Sequence, residues 1–137
     1  MTLRRLAVLA CVGMFMLVGC RDRSTPQDKS DTLCVKMGEI DGSVTQMVAY
    51  AAAPANFAKF RALRDGLAGQ WAAVEKAAKD VTSFKIDEVT KTYNAYLKTV
   101  TAVNDGNAMT AKYAEIDKTA GDFATARLEA YNSLGCS

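Results

Sequence analysis

The chain has no histidine among its 137 residues. Histidine is the usual general base of enzymes and the commonest metal ligand in proteins, so its absence excludes most familiar catalytic mechanisms. The chain also has no uninterrupted run of about twenty apolar residues, which is the length that a helix needs to cross a bilayer. We therefore expect no enzyme activity, no resident cofactor and no transmembrane anchor.

The charge balance excludes a second class of function. The formal charge of +2 includes Arg4 and Arg5, which are two of the seventeen basic residues. Beyond them the chain has fifteen basic and fifteen acidic side chains. Nucleic-acid-binding proteins need a clustered excess of basic residues, so we expect no nucleic-acid partner.

The first twenty residues are organised like an export signal. Arg4 and Arg5 precede residues 6–17, none of which has a polar side chain, and polar residues return at Arg21. A short positive region followed by an apolar run of this length is typical of a secretory signal. The apolar Cys11 is interpreted as part of that run.

Leu17-Val18-Gly19-Cys20 resembles the lipobox of bacterial lipoproteins. The resemblance covers residues 1–20. It implies that residues 1–19 are removed and that Cys20 receives a diacylglyceryl lipid and can gain a further acyl chain. Such a lipid would hold the protein on the extracytoplasmic side of a cell membrane or outer membrane. The alternative is an ordinary secretory signal in which Cys20 has no role.

The remaining sequence predicts an all-α domain. Residues 20–30 form a polar stretch containing Pro26, which predicts a flexible tether. In residues 31–137, apolar residues recur every three or four positions in four stretches, which predicts an antiparallel up-down four-helix bundle. Threonines in the third stretch leave a local strand at 99–103 open as an alternative. The four apolar stripes are Leu33, Met37, Ile40, Val44, Met47 and Ala51; Phe57, Phe60, Leu63, Leu67, Trp71, Val74, Ala78 and Val81; Ile86, Val89, Tyr93, Tyr96, Val100 and Val103; and Met109, Tyr113, Ile116, Ala120, Phe123, Ala130 and Leu134.

This topology places Cys34 and Cys136 at the same end of the bundle. Export delivers a chain to an oxidising compartment, so we expect a disulfide between them. Two unrelated free thiols are the alternative. The cysteines lack the close spacing of a zinc or redox motif, and we expect no metal site.

Three methionines and one arginine are further candidates for a functional role. Met37, Met47 and Met109 fall on the apolar stripes, which favours core positions over metal or haem ligation. Arg127 stands where an apolar residue is expected. Because it lies near a helix end, we expect its side chain to extend to water; pairing with a carboxylate or binding an anionic ligand are the alternatives. Each of these roles predicts a different neighbour for its guanidinium group.

Tyr50 and Phe57 flank Pro54 at the end opposite Cys34, and they are candidate contacts for a protein partner. The alternative is that they join the first two helices. We expect a non-enzymatic protein-interaction lipoprotein of the cell envelope. A prophage or mobile-element immunity (superinfection-exclusion) lipoprotein and a small-ligand carrier are the alternatives. The layout resembles small helical lipoproteins of high-GC bacteria, a likeness that implies no activity.

Overall fold

The structure, a computed structural model, describes residues 25–137 and is all-helical there, with no strand in this range, which confirms the predicted all-α class. The predicted signal and lipobox, including Cys20, lie outside the described residues. The helices are α1 (Pro26–Ala51), α2 (Phe57–Lys79), α3 (Asp87–Thr101), α4 (Gly106–Ala111) and α5 (Tyr113–Leu134).

Helix α1 begins five residues earlier than expected. Thr25 caps it, because its hydroxyl accepts a hydrogen bond from Asp28 N at 3.1 Å while Asp28 Oδ2 accepts one from Thr25 N at 2.7 Å. Pro26 occupies the first turn, where a missing N–H costs nothing. These hydrogen bonds also hold the pKa of Asp28 below its usual value. The expected flexible tether is therefore wrong for residues 26–30, which are helical.

The fourth predicted helix is divided, so the described chain has five helices and not four. Asp105 caps α4 by accepting a hydrogen bond from Ala108 N at 2.7 Å. At Lys112 the backbone leaves helical geometry (φ −98°, ψ 5°), which separates α4 from α5. Gly135 ends α5 in the left-handed conformation (φ 69°), which glycine adopts without steric cost.

The threonines of α3 are accommodated within the helix. Thr90, Thr92, Thr99 and Thr101 each donate a hydroxyl hydrogen bond to the carbonyl oxygen four residues earlier. This back-bonding satisfies the hydroxyl groups without breaking the helix. The strand considered at 99–103 is therefore wrong, since α3 continues to Thr101.

The core lies between the four longer helices. Helix α1 packs against α2 and α5, and α3 packs against α5. At its centre, Trp71 stacks on Tyr93 with ring centroids 4.1 Å apart and an interplanar angle of 10°. Phe123 meets Tyr93 edge-on at 6.1 Å. The residues that are fully or almost fully buried include Leu33, Met37, Ile40, Met47, Phe60, Leu67, Val74, Tyr96, Met109 and Ile116.

Candidate functional site

Cys34 and Cys136 lie together at one end of the domain. Their Cα atoms are 5.8 Å apart and their sulfur atoms are at disulfide-bonding distance. Cys34 lies in α1, and Cys136 directly follows the glycine that ends α5. The left-handed turn at Gly135 reverses the chain there, which brings Cys136 to α1.

Tyr131 forms a second link between α1 and α5 close to the cysteines. Its hydroxyl donates a hydrogen bond of 2.6 Å to the Cys34 carbonyl oxygen. The same hydroxyl would lie 3.0 Å from a Cβ atom placed on Gly38, so any side chain at position 38 would crowd it. Gly38 therefore allows Tyr131 to lie close against α1.

Arg127, one turn before Tyr131, pairs with a carboxylate. Its Nε lies 2.9 Å from Asp41 Oδ1, in a direction that departs from that of a hydrogen bond. The guanidinium group also lies 4.7 Å from the centre of the Tyr131 ring, within cation–π range. Of the roles weighed for Arg127, pairing with a carboxylate is the one observed. It explains why a cation interrupts the apolar stripe of α5.

Tyr50 and Phe57 lie at the opposite end of the domain, here called the distal tip. Both are half-buried and pack against the core. The turn between them is closed by a 2.8 Å hydrogen bond from Asn56 N to the Tyr50 carbonyl oxygen, and Lys59 Nζ lies 5.4 Å from the Tyr50 ring centre. A Cβ atom placed on Gly106 would lie 3.9 Å from Phe57 Cβ. The turn before α4 therefore packs against the distal tip.

These contacts give Tyr50 and Phe57 a structural role in joining α1 to α2. A partner can still reach their exposed parts. The sequence around them has no charged residue from position 42 to position 58. Lys59 is the first charged residue after this segment, and its ammonium group lies over the Tyr50 ring.

The tyrosines in the core have no free ligand-binding groups. The Tyr93 hydroxyl donates to the Leu67 carbonyl oxygen at 3.3 Å, and the Tyr96 hydroxyl approaches Met47 Sδ at 3.6 Å. Burial raises the pKa of Tyr93 to about 12 and raises the pKa of Tyr96 as well. Both phenols therefore stay neutral at physiological pH and act as core residues. Met37 and Met109 are also buried in the apolar core.

An open surface groove follows the seam between α3 and α5. The part of the groove lined by Phe84, Val89 and Leu134 has a volume of about 430 Å³. Its floor is apolar, and its rim combines the carboxylates of Glu88 and Glu129 with Lys85. Lys91 neutralises Glu88 at 3.4 Å on the exposed surface. No set of buried polar side chains points into the groove, so it lacks the groups that would orient a ligand.

Two side chains that sequence reasoning missed are Val35 on α1 and Leu128 on α5. They are 59% and 54% exposed, the largest exposure of any large apolar side chain in residues 25–137. Each lies off the apolar stripe of its helix. Their positions outside the apolar stripes can be read from the sequence. Only the structure shows that α1 and α5 lie side by side.

Residues 25–137 contain no group of three or more acidic or cysteine side chains that could hold a metal ion. None of the helices in the described part of the chain is long and apolar enough to span a bilayer.

Comparisons with protein-family models, curated proteins and solved structures gave no match for this chain. Any statement about function therefore depends on the residues themselves.

Proposed function

We propose that this chain is a lipid-anchored extracytoplasmic lipoprotein whose helical domain binds another protein at the distal tip. The observation that carries the proposal is the export-type N-terminus that ends in the lipobox cysteine, Cys20. The lipid is the only covalent group that the proposal requires. The protein performs no catalysis in this proposal, in keeping with the lack of histidine.

The cysteines support export. A disulfide between Cys34 and Cys136 would be maintained outside the cytosol, whereas cytosolic thiols are kept reduced. Their sulfur atoms are already at bonding distance in the folded domain. Lipidation and disulfide formation thus call for the same compartment, although they depend on different residues.

The long helices support a four-helix bundle with up-down-up-down topology. Gln70 Nε2 on α2 lies 2.9 Å from Ser43 Oγ on α1, near the middle of both helices. Thr99 Oγ1 lies 3.2 Å from Glu115 Oε1, which joins the end of α3 to the start of α5. In this topology the anchored N-terminus and the distal tip are at opposite ends. The tip would face away from the membrane.

The start of α1 extends the domain towards the proposed anchor. Leu33 is the first buried apolar residue of α1. Residues 26–32, which form about two helical turns, therefore have no buried apolar side chain. This extension adds about 10 Å of helix between the core and residues 20–25, which lead to the proposed anchor. The packed aromatic centre also favours a binding surface over a small-ligand carrier.

Lipidation is tested by metabolic labelling of growing bacteria with a palmitate analogue. We expect label and a fatty mass on the processed chain that begins at Cys20, and no label on the Cys20→Ser variant. An unlabelled chain that keeps Met1 and stays in the cytosol would contradict the proposal.

Partner binding is tested by pull-down from native membranes with the wild-type chain and with Tyr50→Asp. We expect the variant to lose a protein that the wild type retains, since a charge at the tip opposes apolar contact. Asn94→Asp, on the exposed side of α3, is the matched control and should keep the partner. Circular dichroism must show that both variants are folded. If all three chains capture the same protein equally, the distal tip is not the binding surface.

A further inference from the structure

The helix ends that meet at the distal tip have more basic than acidic side chains. Residues 42–66 and 97–116 lie together there, since the Arg64 guanidinium group donates a hydrogen bond to the Val103 carbonyl oxygen. These two ranges contain five basic and three acidic residues. The other residues from 25 to 137 contain eight basic and eleven acidic ones. The distal tip is therefore positive, whereas the rest of the described domain is negative.

The acidic groups at this end already have partners within the domain, which are the Arg64 guanidinium group for Asp65, the Ala108 amide for Asp105 and the Lys112 ammonium group for Glu115. Lys59 and Arg61 are exposed, and neither forms an ion pair within residues 25–137. We call these two residues the basic pair. Their charges are available to a group outside the domain.

The basic pair stands where positive charge opposes helix formation. Both residues lie in the first two turns of α2, whose first turn has no acidic residue. The N-terminus of a helix has a partial positive charge, so cations there lower helix stability and acidic residues raise it. Lys98, by contrast, lies in the last turn of α3, where a cation is favourable. Helix stability therefore accounts for Lys98 and does not account for the basic pair.

The basic pair borders the uncharged segment of the tip. Lys59 Nζ lies 5.4 Å from the centre of the Tyr50 ring, which holds the ammonium group beside the turn between α1 and α2. At an exposed position this contact is similar in size to the unfavourable effect of the helix dipole, so it at most offsets that effect. Residues 42–58 have no charged side chain. The tip thus has an uncharged centre with positive charge at its edge.

We propose that the distal tip binds an acidic surface of its protein partner, with Lys59 and Arg61 facing carboxylate groups at the edge of the contact. This inference rests on the proposed function, which places a partner at the tip. Opposite charges at the edge of an interface speed association and set its orientation, while like charges exclude wrong partners. A protein is favoured over anionic lipid because the tip faces away from the membrane in the proposed topology.

The test places a photo-crosslinking amino acid at Ala55, which is exposed in the turn between α1 and α2. The full chain is irradiated in isolated native membranes, and mass spectrometry identifies the adduct and the segment to which the crosslinker is attached. We expect a protein adduct on a segment rich in Asp and Glu. Its yield should fall as salt is raised, because the screening length shortens from about 30 Å at 0.01 M to about 3 Å at 1 M.

A Lys59→Glu and Arg61→Gln double variant tests the basic pair itself. We expect the adduct yield to fall by at least about tenfold, because the variant presents a carboxylate to an acidic partner. Its midpoint in urea unfolding should be at least that of the wild type, since an acidic residue is favourable in the first turn of a helix.

Lys76→Glu with Lys79→Gln is the matched control. It makes the same change of charge in the last turn of α2, at the opposite end of the helix. We expect it to keep the adduct and to unfold at a lower urea concentration than the wild type, because it removes cations from a position that the helix dipole favours.

Three results would overturn the inference alone. These are a protein adduct that the basic-pair variant leaves unchanged, a protein adduct on a segment without acidic residues, and a basic-pair variant that is less stable than the wild type. The last result would assign Lys59 and Arg61 to folding. An adduct formed only with lipid, or no adduct at Ala55, would contradict partner binding at the tip and the inference together.

Discussion

Replacing both Cys34 and Cys136 by serine should lower the stability of the domain substantially. The two residues are 102 positions apart, so a bond between them closes almost the whole described chain into one loop. The chain-entropy model gives about 4.7 kcal/mol for a loop of this length, as an upper value. With an unfolding entropy of about 2.1 cal/mol/K per residue, that loss corresponds to a fall of roughly 15–20 °C in Tm.

The assay is urea unfolding followed by circular dichroism, with thermal unfolding in parallel. The double serine variant should have a lower midpoint and a steeper dependence on urea, because its unfolded state is no longer held in a loop. A reducing agent should shift the wild type towards the variant and leave the variant unchanged. A wild type and a variant that differ by less than about 1 kcal/mol would refute the reasoning from loop closure.

Three further changes test the core and the α1–α5 seam. Trp71→Ala should cost about 3–5 kcal/mol in urea unfolding, because it removes the stacked partner of Tyr93 and leaves a cavity; a cost below about 1 kcal/mol would contradict this packing. Asp41→Asn should cost about 1 kcal/mol, since it leaves the largely covered Arg127 without its counter-charge; a more stable variant would argue against the ion pair. Burial raises the pKa of Tyr93 to about 12, above its unfolded value of about 10, so its contribution to stability is complete below pH 10 and is lost as the pH rises to about 12. Tyr93→Phe should therefore show a smaller fall in stability over that range than the wild type.

Much of the helical core was predictable from residue spacing. The stripe from Leu33 to Ala51 is buried along its whole length, and the pairing of Trp71 with Tyr93 joins two of the predicted stripes. These positions follow from the helical period alone. Apolar residues that recur on one side of a helix must be covered by another helix.

The helix boundaries were less predictable, since they depend on local hydrogen bonds. Pro26 and the polar residues after it look like a linker in composition, but the reciprocal bonds of Thr25 and Asp28 start a helix there. The apolar pattern also continues without a break through Lys112, so it does not predict the division of the helix there. In both places, the geometry of a few backbone groups decides the result.

The partner of Arg127 could not be chosen from the sequence. Its departure from the apolar stripe identified it as unusual, but the expected extension to water was wrong, and the observed role was one of the alternatives. The choice of Asp41 depends on which turn of α1 lies opposite, a distance of 86 positions along the chain that periodicity does not encode.

The position of the sulfur pair has a mechanical consequence. A pull applied between the N-terminal end and Ser137 would pass along the first turns of α1, cross from Cys34 to Cys136 and leave through the last residue. The helices enclosed between the two cysteines would bear none of that load. Tension would reach them only if it were applied at Tyr50 or elsewhere within the loop. A disulfide between Cys34 and Cys136 would therefore protect the domain from force on its termini. Force at its far end would still act on the helices.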